Sequence, residues 1–249
     1  MRLIAISIAL LLAWAPAAFA ITAKDVAQAL KTSHPSLPIK GVTPSKLKGF
    51  WDVDIGDAQT LHVSPDAKYF FTGDLYAVSP HGLINLSAVE RNKMRKELIA
   101  AVPEKDMVIF APKGKVKATV TVFTDVDCPF CRKFHQEVPE LNAMGIEVRY
   151  LAYPRAGIGS VAYKKMVDTW CAPDPKKALT EAKLGEKLKN RNCPNPVAKE
   201  FKLGNQVGVT GTPSLVYADG TMQPGYLPAI QLAQRLGVLK LGHKDQQVN

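Results

Sequence analysis

The spacing of apolar residues changes along the N-terminal third of the chain. Over residues 23–31 apolar side chains recur every three or four positions, which predicts a helix that Pro35 and Pro38 end. From residue 39 onward the pattern predicts short strands separated by turn residues, at 49–55, 60–63, 69–72 and 75–78. A helix followed by strands predicts a small α+β domain. A domain of about 60 residues is marginal for burying a core alone, and a surface shared with a second copy would relieve that.

A helical pattern follows over residues 86–101. Its apolar residues are interleaved with charged ones, Ser87 is the candidate N-cap with Glu90 three residues later, and Pro103 ends it. We interpret this segment as a helical linker between two domains. The alternative is a helix that packs as part of one domain.

A second domain is predicted to begin near Glu104. Residues 107–111 form a short apolar run, and residues 116–124 are rich in β-branched residues, which is typical of a strand buried on both faces. The sequence then reads Cys128-Pro-Phe-Cys131, followed by a helical stretch to about Met144 and a strand at 146–151. A strand, a CxxC, a helix and a strand predict a βαβ unit with the cysteines at the helix N-terminus.

The CxxC position favours redox chemistry. Free N–H groups and the helix dipole stabilise a thiolate, so we expect an exposed redox pair in which Cys128 has a lowered pKa. Pro129 suits the first helical turn because no hydrogen bond needs its missing N–H. Cys131, deeper in the helix, is the expected resolving thiol. Asp125, just before the pair, has two open roles: proton transfer to Cys131 or a turn and capping role.

Zinc is the alternative use of a CxxC. A structural zinc site needs two further ligands, and the remaining cysteines, Cys171 and Cys193, are not a second CxxC. His135 lies close enough in sequence to reach Cys131, although a packing or surface role suits it better. We therefore predict no metal site.

A second discriminating segment is Val209-Thr-Gly-Thr-Pro-Ser-Leu-Val-Tyr217. Proline does not suit a central strand unless its position is special, and a cis Thr212–Pro213 bond is the special case that fits. Such a bond would present the backbone of Thr212 beside the CxxC as a short edge for an extended substrate.

Residues 1–20 and the net charge define the setting. A basic start, an apolar run and Ala18-Phe-Ala20 predict a secretory signal peptide, which permits disulfides in the remaining chain. The formal charge of +10 falls mostly within residues 155–202, which carry eleven basic and five acidic residues. We expect solvated helix faces there, including those of Lys164, Lys165, Lys176, Lys177, Lys183, Lys187, Lys189 and Arg191. The alternative is a preference for acidic substrates or for a membrane surface. No motif supports binding to nucleic acid.

The chain resembles the DsbC/DsbG family of periplasmic thiol:disulfide interchange proteins, and lies closest to its DsbC branch. The matching segments are Val42-Thr-Pro-Ser45, Gly73-Asp-Leu-Tyr76, Val122-Phe-Thr-Asp125 with the CxxC, Cys171 with Cys193, Gly211-Thr-Pro213 and Gly220-Thr-Met-Gln-Pro-Gly-Tyr226. The resemblance implies an α+β chain with a signal peptide (1–20), a cystatin-like N-terminal dimerisation domain (21–85) and a linker helix (86–103). A thioredoxin-like α/β domain (104–249) with a helical insertion at about 155–202 would follow.

The resemblance also implies roles for particular residues. Cys128 would be the nucleophile, Cys131 the resolving cysteine and Thr212–Pro213 the substrate contact. Cys171–Cys193 would be a structural disulfide, with a second redox pair as the alternative. No cofactor is expected beyond the redox-active Cys128–Cys131 pair.

The implied function is a periplasmic disulfide isomerase or reductase. It would act as a homodimer on wrongly bonded exported proteins and be kept reduced by a DsbD-type membrane reductase. Pro129-Phe130 departs from the Gly-Tyr common in DsbC proteins, which leaves the balance of isomerase, reductase and oxidase activity open. The alternatives are a holdase chaperone whose cleft binds unfolded protein, and a DsbG-like reductase of sulfenylated cysteines.

Overall fold

The computed structural model describes residues 21–240, so the predicted signal peptide lies outside the described residues. Within them the chain divides into two compact units. The first contains residues 21–54 and 61–71, and the second contains residues 55–60 and 72–240. None of the helices within residues 21–240 has the length and apolar character needed to cross a membrane.

The first unit contains a helix and most of a four-stranded sheet. Helix α1 (Ala23–Ser33) begins with a capping box between Thr22 and Asp25 and buries Val26 and Leu30. It packs against the first strand of a sheet ordered β1 (Gly41–Pro44), β2 (Trp51–Gly56), β3 (Gln59–Val63) and β4 (Phe70–Thr72). The sequence pattern predicted this helix and three of these strands. It missed β1, whose four residues end in a proline.

The second unit begins with an antiparallel hairpin of β5 (Tyr76–Ser79) and β6 (Gly82–Asn85). Strand β6 was not predicted, because a run of two apolar residues is too short to reveal a period. Helix α2 (Leu86–Ala100) follows, and its N-cap is Asn85, whose side chain accepts from the Ala88 N–H. The Ser87 cap prediction is wrong, because the Ser87 hydroxyl instead accepts from the Leu75 N–H.

Helix α2 packs against other parts of the second unit. The buried Arg95 donates from Nε to the carbonyl of Val207 at 2.7 Å. Gly220 (φ +83°) lies so close to the helix that a Cβ there would be 1.8 Å from the carbonyl oxygen of Asn92. Only glycine allows this approach of a turn to the helix backbone.

A five-stranded mixed sheet forms the centre of the second unit. Its order is β11-β10-β8-β9-β7, where β8 and β9 are parallel and the other neighbours are antiparallel. The strands are β7 (Val108–Phe110), β8 (Ala118–Thr124), β9 (Ile146–Ala152), β10 (Ser214–Tyr217) and β11 (Met222–Pro224). The parallel pair is connected through α3 (Pro129–Gln136) and α4 (Val138–Met144), which is the predicted βαβ unit.

Two hydrophobic cores lie on the two faces of this sheet. Successive strand residues point to opposite faces, so Val122 of β8 joins one core and Phe123 the other. Tyr150 and Leu151 of β9 divide in the same way. The prediction of a strand buried on both faces is therefore confirmed for β8.

Three helices lie between β9 and β10, in the region of the expected insertion. They are α5 (Val161–Trp170), α6 (Pro175–Leu184) and α7 (Val197–Gln206), and α8 (Ala229–Arg235) follows β11. Seven of the eight basic side chains expected to be solvated are exposed or half-buried. The expectation is wrong for Lys183, which is only 4% exposed.

Candidate active site

The CxxC lies where β8 passes into α3. Cys128 is the N-cap residue of α3 in extended conformation, and Pro129 and Cys131 are both in the first turn of the helix. The loop before them is held by Asp125, which is buried and accepts from the Asp127 N–H at 2.8 Å. The helix thus begins directly at the first cysteine, so that its free N–H groups face the site.

The Thr212–Pro213 segment lies beside Cys128. Strand β10 pairs antiparallel with β8, with Ser214 opposite Phe123, so the residues just before β10 meet the loop just after β8. The Thr212–Pro213 peptide bond is cis. In the protonated state, Cys128 Sγ donates to the Thr212 carbonyl oxygen at 3.1 Å.

Both cysteines of the CxxC are free thiols and both are buried. The exposed fraction of Cys128 is only 1%, so the expectation of an exposed pair is wrong. Cys128 lies under the Thr212 backbone and Cys131 lies inside the helix, against the core. In contrast, Phe130 between them is 61% exposed.

The two thiols have opposite acidities. A hydrogen bond from the Cys131 thiol is the largest of several contacts that lower the pKa of Cys128 to about 5, and a hydrogen bond from the Thr212 side chain and the charge of Arg155 add to it. Burial, together with that same hydrogen bond, raises the pKa of Cys131 far above its usual value. Near neutral pH the pair therefore holds one thiolate, at Cys128, and one thiol, at Cys131.

A residue that the sequence reasoning missed lies below the pair. Lys183 of α6 points inward, and its Nζ donates to Thr124 Oγ1 at 2.7 Å. Thr124 is the last residue of β8, and a hydrogen bond from its side chain acts to lower the pKa of Cys131. A signal was present in the sequence: Lys183 is four residues after the buried Leu179, which places both on one face of α6.

Asp125 is held in place by two sets of contacts. One carboxylate oxygen forms the turn to Asp127, and the other accepts from the backbone N–H and Nε of Arg155 at 3.0 and 3.1 Å. The sequence left two roles open for Asp125, and these contacts correspond to the turn and capping role.

His135 is a packing residue. Its ring nitrogens bond the Tyr150 hydroxyl and Thr180 Oγ1, each at 3.0 Å, and burial lowers its pKa to about 3. Among residues 21–240 no group of three or more histidine, cysteine or acidic side chains is arranged to hold a metal ion.

The other two cysteines are joined to each other. Cys171, the C-cap of α5, forms a disulfide with Cys193, with 5.8 Å between their Cα atoms. The two residues are separated by 22 positions, and the bond ties the end of α5 to the segment before α7.

Comparison with known proteins finds matches over most of the chain. A thioredoxin-like domain model matches residues 103–240, and the model of the disulfide bond isomerase protein N-terminal domain matches residues 16–88. The chain is 36% identical over 196 residues to thiol:disulfide interchange protein DsbC of Escherichia coli (strain K12), covering 78% of this chain and 80% of the relative.

Two further relatives are similar. The DsbC protein of Haemophilus influenzae is 38% identical over 202 residues, which cover 81% of each chain. A crystal structure of a disulfide interchange protein from Neisseria gonorrhoeae is 34% identical and covers 55% of this chain and 96% of that chain, with a TM-score of 0.49.

Proposed function

The chain belongs to the DsbC family of thiol:disulfide interchange proteins, and we propose that Cys128 and Cys131 carry out its disulfide isomerase reaction. The observation that carries this assignment is the opposite acidity of the two thiols. A pKa of about 5 keeps Cys128 ionised near neutral pH, whereas the raised pKa of Cys131 keeps that thiol protonated. Cys128 is thus a thiolate that can attack a disulfide, while Cys131 stays a thiol until the release step.

The reaction proceeds by thiol–disulfide exchange. The Cys128 thiolate attacks one sulfur of a wrong disulfide, forming a mixed disulfide and releasing the other substrate sulfur as a thiolate. A substrate thiolate then attacks the mixed disulfide, so that a new substrate disulfide forms and the Cys128 thiolate is regenerated. If this step stalls, Cys131 attacks Cys128, which releases the substrate reduced and leaves Cys128–Cys131 as a disulfide.

The proposed substrate contact is Thr212–Pro213, together with the exposed ring of Phe130. Thr212 lies against the Cys128 sulfur and precedes β10, so its backbone edge is next to the reacting atom. Phe130, two positions after Cys128, provides an exposed apolar surface that an unfolded segment can cover. The backbone contact does not depend on side-chain identity in the substrate, which suits an enzyme that acts on many misfolded proteins.

The low pKa of Cys128 also has a redox consequence. Stabilising the thiolate stabilises the reduced pair, so the Cys128–Cys131 disulfide accepts electrons readily. This supports a DsbD-type membrane reductase as the partner that keeps the pair reduced. The Cys171–Cys193 disulfide, which needs an oxidising compartment, supports the proposed location, the periplasm after removal of residues 1–20.

The N-terminal domain supports assembly as a homodimer. The family model that matches residues 16–88 describes the N-terminal domain of disulfide bond isomerases. All three residues of β4 at the edge of its sheet are exposed, and Phe70 and Phe71 are among them. An exposed apolar edge strand is a surface that proteins usually cover, and a second copy would cover it.

The test of the isomerase function is refolding of scrambled ribonuclease in a glutathione buffer. We expect wild-type protein to restore ribonuclease activity and Cys128→Ser to do no better than the buffer. Cys131→Ser should keep part of the activity and accumulate mixed disulfides, because it lacks the release step. A matched control is Cys171→Ser/Cys193→Ser, which removes two cysteines and leaves the CxxC intact. If Cys128→Ser refolds ribonuclease as fast as wild type, the activity is that of a chaperone.

A further inference from the structure

Lys183 is buried without an acidic partner. Its side chain is 4% exposed, it donates to Thr124 Oγ1 at 2.7 Å, and its ammonium group lies 5.4 Å from the centre of the Tyr150 ring. Over the described part of the chain, no carboxylate oxygen is within ion-pair distance of Lys183 Nζ. A buried ammonium without a direct ion pair is costly, and negative charge on the CxxC sulfurs offsets part of that cost.

The donors and acceptors of this contact have only one arrangement. An ammonium group has three donors and no acceptor, so Thr124 Oγ1 must accept from Lys183. The hydroxyl proton of Thr124 is then left to donate to the neighbouring Cys131 sulfur. A donor aimed at sulfur stabilises a thiolate, and a hydroxyl polarised by an ammonium group is a stronger donor.

The charges around Lys183 also favour a thiolate at Cys131. Burial lowers the pKa of Lys183 to about 8, and attraction to the two CxxC sulfurs opposes that effect. In turn, the Lys183 charge lowers the pKa of Cys131 against the larger effect of burial. The other titratable or charged groups that face this ammonium are Asp125, Arg132, His135 and Tyr150.

We propose that Lys183 is a positioning residue which, through the Thr124 hydroxyl, stabilises the Cys131 thiolate and so sets the rate at which Cys131 resolves a mixed disulfide at Cys128. The proposal rests on the proposed exchange chemistry of the CxxC. It assigns to the helical insertion, which supplies Lys183, a part in the reaction beyond a structural one.

The step balances without a further reactant. Cys131 loses its proton to solvent, and its sulfur attacks Cys128 Sγ, forming the Cys128–Cys131 bond. The bond between Cys128 and the substrate sulfur breaks, and that sulfur leaves as a thiolate. Lys183 stays protonated below about pH 8 and supplies the counter-charge to Cys131 while its proton is absent.

Stopped-flow mixing of reduced protein with Ellman's reagent tests the proposal. Attack by Cys128 releases one coloured thionitrobenzoate, and resolution by Cys131 releases a second, in a phase that does not depend on reagent concentration. The variants are Lys183→Met and Thr124→Val, each close in size to the residue replaced. The matched control is Lys176→Met, which removes a charge from the exposed face of the same helix.

We expect the second phase to slow by about ten- to a hundredfold at pH 7 in Lys183→Met and in Thr124→Val, since a charge-assisted hydrogen bond is lost. The double variant should be no slower than Lys183→Met, because both changes break one chain of contacts. Lys176→Met should match wild type.

The pH profile separates this role from a structural one. In wild type the rate of the second phase should level off near pH 8. Above this pH Lys183 loses its proton, so the population in which a Cys131 thiolate coexists with a charged Lys183 stops increasing. In Lys183→Met the rate should keep rising about tenfold per pH unit. Thermal unfolding checks that each variant is folded.

A folded Lys183→Met variant with the wild-type second phase and pH profile would overturn the proposal. A wild-type second phase in Thr124→Val would overturn it equally, including where Lys183→Met does not fold. A protein that shows the expected second phase but fails to reshuffle ribonuclease would support this role for Lys183 and contradict the isomerase function.

Discussion

The second unit contains two pairs of cysteines that differ in almost every physical respect. Cys128 and Cys131 are three positions apart at the start of α3, are unbonded, and have pKa values shifted in opposite directions. Cys171 and Cys193 are 22 positions apart and are bonded. The first pair is surrounded by donors and charges aimed at individual sulfurs, and the second joins two segments of chain. Environment as well as spacing therefore decides which cysteines react.

The strongest test of this contrast is selective alkylation. At pH 7 iodoacetamide should label Cys128 at least about a thousandfold faster than Cys131, because the thiolate is the nucleophile and only Cys128 is ionised. Cys171 and Cys193 should stay unlabelled unless the protein is reduced and unfolded. Mass spectrometry of the peptides measures all four sites. Comparable labelling of Cys128 and Cys131 would remove the asymmetry on which the mechanism depends.

The pH dependence of stability should report the same asymmetry. The pKa of Cys128 is lowered to about 5 in the folded protein, so between about pH 5 and 8.5 the unfolded chain binds more protons at this site. The stabilisation that Cys128 gives the folded protein is therefore complete above about pH 8.5 and is lost as the pH falls towards 5. The free energy of unfolding should change by at most about 1.4 kcal/mol per pH unit.

The measurement is urea unfolding of the reduced protein across this range, compared with Cys128→Ala. The comparison is needed because burial raises the pKa of Glu200 to about 8 and lowers that of His135 to about 3, so both groups also change stability with pH. The difference between the two curves isolates Cys128. A difference that does not change with pH would contradict a stabilised thiolate.

Removing the second pair should affect stability and leave the chemistry unchanged. Cys171→Ala/Cys193→Ala opens a loop of about 22 residues, so we expect the free energy of unfolding to fall by about 3 kcal/mol. The pKa of Cys128 and the labelling ratio of the CxxC should not change. A large change in either would mean that the second pair takes part in exchange, which was the alternative left open by the sequence.

The sequence predicted most of the features that depend on local pattern. The βαβ unit around the CxxC, the burial of β8 on both faces and the α+β and thioredoxin-like fold class are confirmed. These follow from residue spacing and from a helix that begins at a CxxC, both of which can be seen in one stretch of chain.

Features that depend on tertiary packing were missed. Its charge alone predicts a solvated Lys183, whereas its burial depends on where α6 packs against α3 and β8. The sequence predicts an exposed CxxC, but in the structure Thr212, more than eighty residues later in the chain, lies against Cys128. The Asn85 cap was missed because Ser87 is an equally good capping residue in isolation.

The smallest expected effect concerns Arg155, at the edge of the site. Its guanidinium bonds Asp125 and also lowers the pKa of Cys128, as the weakest of the named contributions. The side chain is 45% exposed, so solvent and salt screen its charge. We expect Arg155→Gln to raise the pKa of Cys128 by less than about one unit, and added salt to reduce the difference from wild type. Thiolate absorbance during a pH titration measures both effects.

Cys131→Ala should produce the larger shift in the pKa of Cys128, because the Cys131 hydrogen bond is the largest contribution. A larger shift in Arg155→Gln would reverse that order and place the origin of the asymmetry outside the CxxC.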